Sequence, residues 1–393
     1  MVELPGDYQG AVPFGDLGII ALPGCENLAD RIDKYIASWR KEYAKTLPKD
    51  SILSHYIKDS YLITANIARF GTGEGKATIA QSVRGYDLFL ICDCFNHGVE
   101  YTMYGKQFPT SPDEHFANLK RVISAAAGKE RRLTVIMPML YEGRQHGRST
   151  RESLDCAMAL QELVSLGVKN IITFDAHDAR VQNAIPNCGF ENVPTIYQMI
   201  KALIRNVPDI NIDKDHLMVI SPDEGGMKRS IFYSYMLGVD LGMFYKRRDY
   251  SVIKNGRNPI VAHDFLGGNV EGKDVIVVDD MIASGDSLIE VATTLKELGA
   301  ARVFCCVSFG LFTDGTARFN AAYRSEIFTK IFTANMVYTP PEVSANPWYC
   351  SVDMAKYISF LIDTINHDKS VSKLLTPADR IQKLLVDKGF RLG

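Results

Sequence analysis

The chain lacks both a long apolar run and a surplus of one charge. Its 393 residues include 44 Lys and Arg against 46 Asp and Glu, a net charge of −2. Crossing a bilayer takes about 20 apolar residues, and binding nucleic acid nonspecifically takes a basic surplus. The N-terminus has no basic stretch followed by an apolar core, so no secretory signal is predicted. We therefore expect a cytoplasmic globular protein without a membrane or nucleic-acid partner.

Paired cysteine motifs are also missing. The eight cysteines are scattered, and several fall inside strand-like runs. Cys92 and Cys94 alternate on one face of a strand pattern, but no second pair completes the ligand set of a zinc site. This usage predicts free, mostly buried thiols in a reducing compartment.

What the chain does have is a regular alternation of short β-rich runs with amphipathic helical patterns. Such alternation predicts parallel sheets covered by helices, and the length allows two domains at roughly 100–200 residues each. We predict an α/β protein with domains 1–192 and 193–393, each a mostly parallel sheet flanked by helices. The first carries an N-terminal extension and the second a C-terminal helical tail. Predicted strands are 18–22, 88–92, 134–137, 170–174, 217–221, 241–245, 275–278 and 302–309; predicted helices are 26–42, 113–127, 151–166, 195–205, 225–237, 287–298 and 354–367.

Residues 275–287 are the most informative segment. They read Val-Ile-Val-Val-Asp-Asp-Met-Ile-Ala-Ser-Gly-Asp-Ser, a buried strand, two carboxylates, a loop of small residues and a helix start. Helix N-termini bind phosphate readily, and paired acids suit sugar hydroxyls or a magnesium ion. A solvated turn followed by an ordinary helix cap is the alternative reading. Because acids, small loop and helix start occur together, we predict a cradle for a phosphorylated sugar.

Polar segments also follow other predicted strands. Residues 221–229 (Ser-Pro-Asp-Glu-Gly-Gly-Met-Lys-Arg) combine an acid with adjacent glycines that let the backbone approach a ligand, although a tight turn alone would need them too. Residues 174–178 place His177 between carboxylates, which suits a divalent ion or a phosphate, although such a histidine can equally be a surface residue. Segment 141–148 offers Arg144 and His146 for phosphate, although an isolated basic loop is most often solvated surface.

The basic run at 245–250 is the last of these segments. Lys246, Arg247 and Arg248 end a strand-like pattern and precede the polar stretch 251–258. Clustered cations beside a long polar segment suit a lid over a polyphosphate, whereas a solvated hairpin is the alternative.

Taken in order, these blocks resemble the ribose-phosphate pyrophosphokinase family, the enzymes that synthesise phosphoribosyl diphosphate (PRPP). The resemblance rests on Arg69-Phe70-x-x-Gly73-Glu74, Arg144-Gln145, Asp175-x-His177, the 221–229 segment, Lys246-Arg247-Arg248 and the loop after Asp279-Asp280. It covers residues 67 to about 310. It implies a phosphoribosyltransferase-like fold, likewise suggested by segment 275–287 alone. It also implies transfer of the β,γ-diphosphoryl group of ATP to the 1-hydroxyl of ribose 5-phosphate, giving PRPP and AMP with Mg²⁺.

The resemblance also implies residue roles and partners. It implies that Lys246 and Arg248 are catalytic and that the metal ligands are His177, Asp223 and Asp175. The implied ATP-binding residues are Phe70, Thr72, Gly73, Glu74, Arg144, Gln145 and His146. The implied ribose 5-phosphate-binding residues are Arg248, Asp279, Asp280, Ala283, Ser284, Gly285, Asp286 and Ser287. Phe70 would stack on adenine across a subunit boundary in a homo-oligomer, a hexamer by resemblance.

The sugar-phosphate loop departs from the family pattern. Ala283 replaces an acid, Ser284 and Ser287 replace threonines, and Asp286 replaces a glycine, so that a negative charge enters a phosphate cradle. Two other functions therefore stay open: a phosphoribosyltransferase that consumes PRPP, and a catalytically weak regulatory subunit. The basic run and the ATP-side blocks argue against the first, and the retained Lys246, Arg248 and His177 argue against the second.

Overall fold

The computed structural model describes residues 11–48, 50–148, 151–248 and 260–390; the side chains of 246–248 and 260–263 lie outside that description. The strands are β1 Asp16–Ala21, β2 Ala65–Arg69, β3 Gly75–Ile79, β4 Tyr86–Ile91, β5 Glu100–Met103, β6 Lys106–Pro109, β7 Arg132–Ile136, β8 Asn170–Phe174, β9 Gly189–Val193, β10 Leu217–Ser221, β11 Asp240–Arg248, β12 Ile260–Leu266, β13 Asp274–Ile282, β14 Arg302–Gly310, β15 Lys330–Ala334 and β16 Tyr349–Val352. The helices are α1 Glu26–Ala44, α2 Pro112–Ala126, α3 Asp155–Ser165, α4 Ile196–Asn206, α5 Met227–Leu237, α6 Asp286–Glu297, α7 Ala317–Arg324, α8 Pro341–Ser344, α9 Ala355–Asn366, α10 Ser372–Leu375 and α11 Ala378–Asp387.

The chain divides into two compact units. The first comprises Met1–Pro194, Met336–Tyr338 and Asp353–Leu375, and the second comprises Thr195–Asn335, Thr339–Val352 and Thr376–Gly393. In the described part of the chain, no helix has both the length and the apolar character needed to cross a bilayer. All eight cysteines are free and six of them are buried, so the expected free thiols are confirmed.

The first unit is built on a five-stranded parallel sheet in the order β1-β4-β7-β8-β9. Its central strands are apolar on both faces, as expected for a parallel sheet covered by helices. Helix α2 begins at a capping box, in which the Ser111 side chain accepts from the Glu114 N–H and the Glu114 side chain accepts from the Ser111 N–H. Two hairpins, β2–β3 and β5–β6, are added to this layer structure.

The second unit contains a seven-stranded sheet in the order β12-β11-β10-β13-β14-β15-β16. Strands β11 and β12 pair antiparallel at one edge, and the other pairings are parallel. The core around Trp348 contains Phe312, Phe319 and Phe328, and the Trp348 indole N–H donates to Asn320 Oδ1 over 2.7 Å. The predicted α/β architecture with mostly parallel sheets is therefore confirmed.

Candidate active site

The second sheet has a topological switch point between β10 and β13. From β10 the chain places β11 and β12 on one side, and β13 with the later strands on the other. Ligands of open α/β sheets bind at the carboxyl ends of the strands where the order reverses. The last pair of the β10–β13 ladder is Ile220 with Val277, so β10 ends at this point and no longer pairs with the part of β13 that begins segment 279–287.

Asp279 and Asp280 are still inside β13, whereas the sequence pattern placed them after the strand end. The ladder with β10 stops at Val277, but the ladder with β14 continues to Ile282 opposite Gly310. The prediction of a strand limited to 275–278 was therefore wrong, because β14 supplies partners beyond the apolar run. The two carboxylates remain beside the switch point, on the extension of β13 that β10 does not cover.

The acid pair is electrostatically strained. Asp280 is buried, with 6% of its surface exposed, and its N–H donates to Asp279 Oδ1 over 2.8 Å. Burial and then the negative charge of Asp280 raise the pKa of Asp279, while the positive charge of Arg229 lowers it. Two adjacent acids held in this way are suited to a cation or to hydroxyl donors, which would relieve their repulsion.

Segment 221–229 is folded onto the same edge of the sheet. Ser221 Oγ donates to the Asp223 carbonyl over 2.7 Å, and the Gly226 N–H donates to Asp223 Oδ1 over 3.1 Å. A Cβ at Gly226 would lie 2.9 Å from Ser221 Oγ, so a larger residue there would displace this hydroxyl. Since Arg229 acts on the pKa of Asp279, the structure brings two of the predicted site segments together within one unit.

The predicted sugar-phosphate loop leads into α6, which begins at Asp286 after the cap residue Gly285. Gly285 has a φ of +89°, and a Cβ there would overlap Cζ of the buried Phe319. Ser284 Oγ donates to Asp286 Oδ2 over 3.1 Å, and Arg318 Nη1 forms an ion pair with Asp286 Oδ1. The negative charge expected in this loop is thus met by a cation from α7.

In the first unit, two predicted site histidines lie side by side. The ring centroids of His146 and His177 are 5.3 Å apart, and His146 Nε2 lies 3.6 Å from Asp178 Oδ2. Hydrogen bonds from Arg180 hold the pKa of Asp178 well below its usual range. The residues predicted for ATP phosphate and for metal are therefore neighbours after β7 and β8.

The remaining predicted residues of this region take varied roles. Gln145 Nε2 donates to the Ser153 carbonyl over 2.9 Å, which braces the loop that also carries Arg144. Asp175 has a φ of +36°, and its N–H donates to the Val193 carbonyl over 3.1 Å directly after β8. Aspartate is one of the few residues other than glycine that adopt left-handed backbone readily, so Asp175 suits this position.

The predicted adenine residues form the turn of the β2–β3 hairpin. The Phe70 N–H donates to the Glu74 carbonyl over 2.9 Å, and Thr72 Oγ1 donates to Glu74 Oε2 over 2.9 Å. Gly73 has a φ of +94°, and a Cβ added at Gly73 would lie only 2.5 Å from Met103 Sδ. The Phe70 ring is 56% exposed at the tip, which leaves it accessible to a ligand.

Two parts of the predicted site fall outside what is described. The side chains of Lys246 and Arg248 and the polar stretch 251–258 lie outside the described residues, although the backbone of Lys246 pairs with that of His263. Within the described ranges, no group of three or more His, Cys, Asp or Glu side chains is arranged to hold a metal ion.

Sequence reasoning missed Arg318 and the Asp178–Arg180 pair. Arg318 lies on α7, whose sequence Ala-Arg-Phe-Asn-Ala-Ala-Tyr-Arg has no clear apolar period. Asp178 was visible as a carboxylate beside His177, but its contact with His146 joins two separate loops and has no local signal.

Comparisons with known proteins cover most of the chain. Residues 17–167 match the N-terminal domain of ribose phosphate pyrophosphokinase, and residues 190–340 match the phosphoribosyl transferase domain. Ribose-phosphate pyrophosphokinase of Pasteurella multocida is 28% identical over 79% of this chain and 91% of its own length; that of Vibrio cholerae is 26% identical over 79% and 90%.

A solved structure shares the fold. The crystal structure of phosphoribosylpyrophosphate synthetase from Mycobacterium smegmatis matches with a TM-score of 0.69 at 20% identity, over 90% of this chain and 99% of that one. This structure shows the shared fold, and the two family matches, in the order that the sequence motifs predict, together with the curated relatives show that the chain belongs to the ribose-phosphate pyrophosphokinase family.

Proposed function

We propose that this protein is a ribose-phosphate diphosphokinase. It transfers the β,γ-diphosphoryl group of ATP to the 1-hydroxyl of ribose 5-phosphate, which gives PRPP for nucleotide biosynthesis and releases AMP. The observation that carries the proposal is the succession of the pyrophosphokinase N-terminal domain at 17–167 and the phosphoribosyl transferase domain at 190–340. An enzyme that only consumes PRPP has no use for the ATP-side residues of the first domain.

The charge pattern of the second unit supports a sugar-phosphate site at the switch point. Asp279 and Asp280 accept hydrogen bonds from ribose hydroxyls, which relieves the repulsion between the two carboxylates. The loop from Ala283 to Ser287 receives the 5-phosphate, with the N-terminus of α6 and the hydroxyl groups of Ser284 and Ser287 as donors.

Residues of the first unit serve ATP. Arg144, Gln145 and His146 hold its phosphates, and the exposed Phe70 ring stacks on the adenine while Glu74 accepts from its amino group. An exposed hairpin tip suits a base site completed by a second copy of the chain, and we propose a homo-oligomer, a hexamer by analogy with the family.

Mg²⁺ fits the donor set. This ion is usually held by one or two carboxylates together with substrate phosphates, so a site without three clustered protein ligands in the described ranges is compatible with it. Asp175 and His177 of the first unit and Asp223 of the second unit are each proposed as magnesium ligands. When bound, Mg²⁺ neutralises phosphate charge and orients the diphosphoryl group.

The transfer step needs alignment and charge compensation and no covalent intermediate. The 1-hydroxyl oxygen of the ribose attacks the β-phosphorus and releases its proton to solvent, and the bond from that phosphorus to the α,β-bridging oxygen breaks as AMP leaves. Lys246 and Arg248 are proposed to stabilise the negative charge on the transferred group.

The assay is AMP formation from ATP, Mg²⁺ and ribose 5-phosphate. Sugar-dependent AMP production is expected. If no AMP forms and PRPP is instead consumed when a nucleobase is supplied, the protein is a phosphoribosyltransferase. Ligand binding without turnover in either assay would identify a regulatory subunit.

Substitution of the basic run provides a specific prediction. Lys246→Ala should lower kcat by about two orders of magnitude or more with little change in the KM for ATP, since charge compensation acts mainly in the transition state. Arg247→Ala removes the same charge from the next position and should retain most of the activity. Equal effects of the two variants would contradict the role of Lys246.

A further inference from the structure

We propose that Arg318 binds the phosphate of the sugar substrate and that Asp286 competes with this phosphate for it. The inference rests on the proposed function for the identity of the sugar phosphate. It assigns a substrate-binding role to a residue of α7 and makes Asp286 a determinant of substrate affinity.

The position of Arg318 is fixed by its neighbour Phe319. The Phe319 side chain is fully buried in the core of the second unit, and its ring packs directly against Gly285. Since Phe319 cannot shift without opening that core, the start of α7 is held against the sugar-phosphate loop. The Arg318 side chain is thereby presented to the N-terminus of α6.

Asp286 uses donors that a phosphate group would use. One carboxylate oxygen pairs with the Arg318 guanidinium, and the other accepts from Ser284 Oγ over 3.1 Å. The Asp286 N–H in turn donates to Ser284 Oγ over 3.4 Å. A guanidinium, a serine hydroxyl and a helix N-terminus form an anion site, and the carboxylate of the chain itself engages the first two.

A phosphate dianion should displace this carboxylate from Arg318. The side chains of Arg318 and Asp286 are 57% and 62% exposed, and ion pairs in such surroundings contribute little stability. A phosphate carries more charge than a carboxylate and offers more acceptor oxygens to the planar guanidinium. Asp279, Asp280 and Asp286 are all acidic, so Arg318 supplies positive charge where the dianion enters.

The experiment compares wild type, Asp286→Asn, Arg318→Gln and the double variant, with Arg324→Gln as control. Arg324 is an exposed arginine on the same helix, so its replacement changes net charge equally. Ribose 5-phosphate is titrated calorimetrically in the presence of Mg²⁺ and an ATP analogue with a methylene group between its α- and β-phosphorus atoms. Binding is thus measured without turnover, and the affinity for the analogue is measured separately.

Arg318→Gln should weaken ribose 5-phosphate binding by about tenfold or more, and Asp286→Asn should strengthen it by about threefold. The double variant should bind ribose 5-phosphate weakly, because Asp286 competes with the phosphate only when Arg318 is present. Arg324→Gln and all affinities for the ATP analogue should match wild type.

Several results would overturn the inference. These are an unchanged affinity in Arg318→Gln, an equal loss in Arg324→Gln, a parallel loss of affinity for the ATP analogue, or weaker binding in Asp286→Asn. If AMP forms but Arg318→Gln binds normally, only this inference fails. If the variants behave as expected but no AMP forms, only the proposed activity fails. Absence of ribose 5-phosphate binding in wild type would contradict both the proposed activity and this inference.

Discussion

Asp274 and Asp279 lie on the same strand in opposite electrostatic surroundings. Arg302 donates to both carboxylate oxygens of Asp274, over 2.9 and 2.7 Å, at the beginning of β13. Asp279, farther along the strand, adjoins Asp280, and its pKa is raised by burial and by that neighbouring charge. One carboxylate therefore stabilises the fold, whereas the other, which is proposed to bind the sugar, lowers stability at neutral pH.

Asp279→Asn tests the electrostatic strain in the acid pair. A carboxyl whose pKa is raised on folding contributes stability below its unfolded pKa of about 4, and that contribution is lost as pH rises through the higher folded value. The variant should therefore be more stable than wild type, by about 1–2 kcal/mol at neutral pH, and its advantage should shrink toward pH 4. Urea unfolding across this pH range measures the difference.

Asp274→Asn is the matched control for the same chemical change. It breaks a bidentate ion pair and should lower the free energy of unfolding by about 1–3 kcal/mol. The interpretation of the acid pair would be contradicted if Asp279→Asn were destabilising at neutral pH. AMP formation should be strongly reduced in Asp279→Asn, because a carboxylate proposed to bind the ribose is lost.

Most of the site residues that could be predicted from the sequence were recognisable by their residue type alone. Asp279, Asp280 and His177 stood out because acids and imidazoles after apolar runs are unusual in a covered sheet. The Asp286–Arg318 pair was not predictable, because it joins positions separated by a helix, a strand and two loops and depends on how α7 packs.

At the scale of elements, the turn into α6 depends on a residue without a side chain. Gly285 combines a left-handed φ of +89° with close packing of the Phe319 ring over the space that a Cβ would fill. Both features oppose any other residue, since L-residues avoid this conformation and Phe319 is buried in the core.

Gly285→Ala should therefore destabilise the protein by about 2–4 kcal/mol, from backbone strain and overpacking together. Gly272→Ala separates the two terms, because Gly272 has a φ of +73° but no atom lies within 4 Å of the point where its Cβ would stand. The control should lose only about 1 kcal/mol from strain. Thermal unfolding measures both, and equal losses would show that contact with Phe319 contributes nothing.

Elements were predictable where apolar runs were long and bounded by polar residues. Strands β8 and β10 begin and end where the sequence placed them, at 170–174 and 217–221. Hairpin β2–β3 was missed because its half-buried strands, Ala-Asn-Ile-Ala-Arg and Gly-Lys-Ala-Thr-Ile, carry no apolar run. Strand β9, Gly-Phe-Glu-Asn-Val, is ordered by pairing with β8 and not by its own propensity.

At the scale of the whole molecule, the first unit is completed by a segment from late in the chain. Residues Asp353–Leu375 belong to it, and α9 packs on α1. The sequence pattern placed residues 193–393, with this helical tail, in the second domain, although no pattern showed on which domain the tail packs. The determining contacts link Arg40 with Asp363, and Asp87 with Asn366, far apart in sequence, so no local pattern reveals them.

These contacts form a buried polar network. Arg40 donates to Asp363 Oδ1 over 2.9 and 2.7 Å and to Asn366 Oδ1 over 2.6 Å, and the Asn366 amide donates to Asp87. The Arg40 and Asp363 side chains are 7% and 2% exposed. Removing one member leaves a buried charge without its partner, which is far costlier than losing a surface pair.

Asp363→Ala should consequently lower the stability of the first unit by about 3–5 kcal/mol. Asp368→Ala is the control. The Asp368 carboxylate is solvent-exposed in its ion pair with Arg132, so the loss of this pair should lower the free energy of unfolding by less than about 1 kcal/mol. Hydrogen exchange should show the loss of protection in α1, β4 and α9. If exchange in α1 stayed as slow as in wild type, the returning segment would not be what secures that helix, and the first unit would derive its stability from its sheet alone.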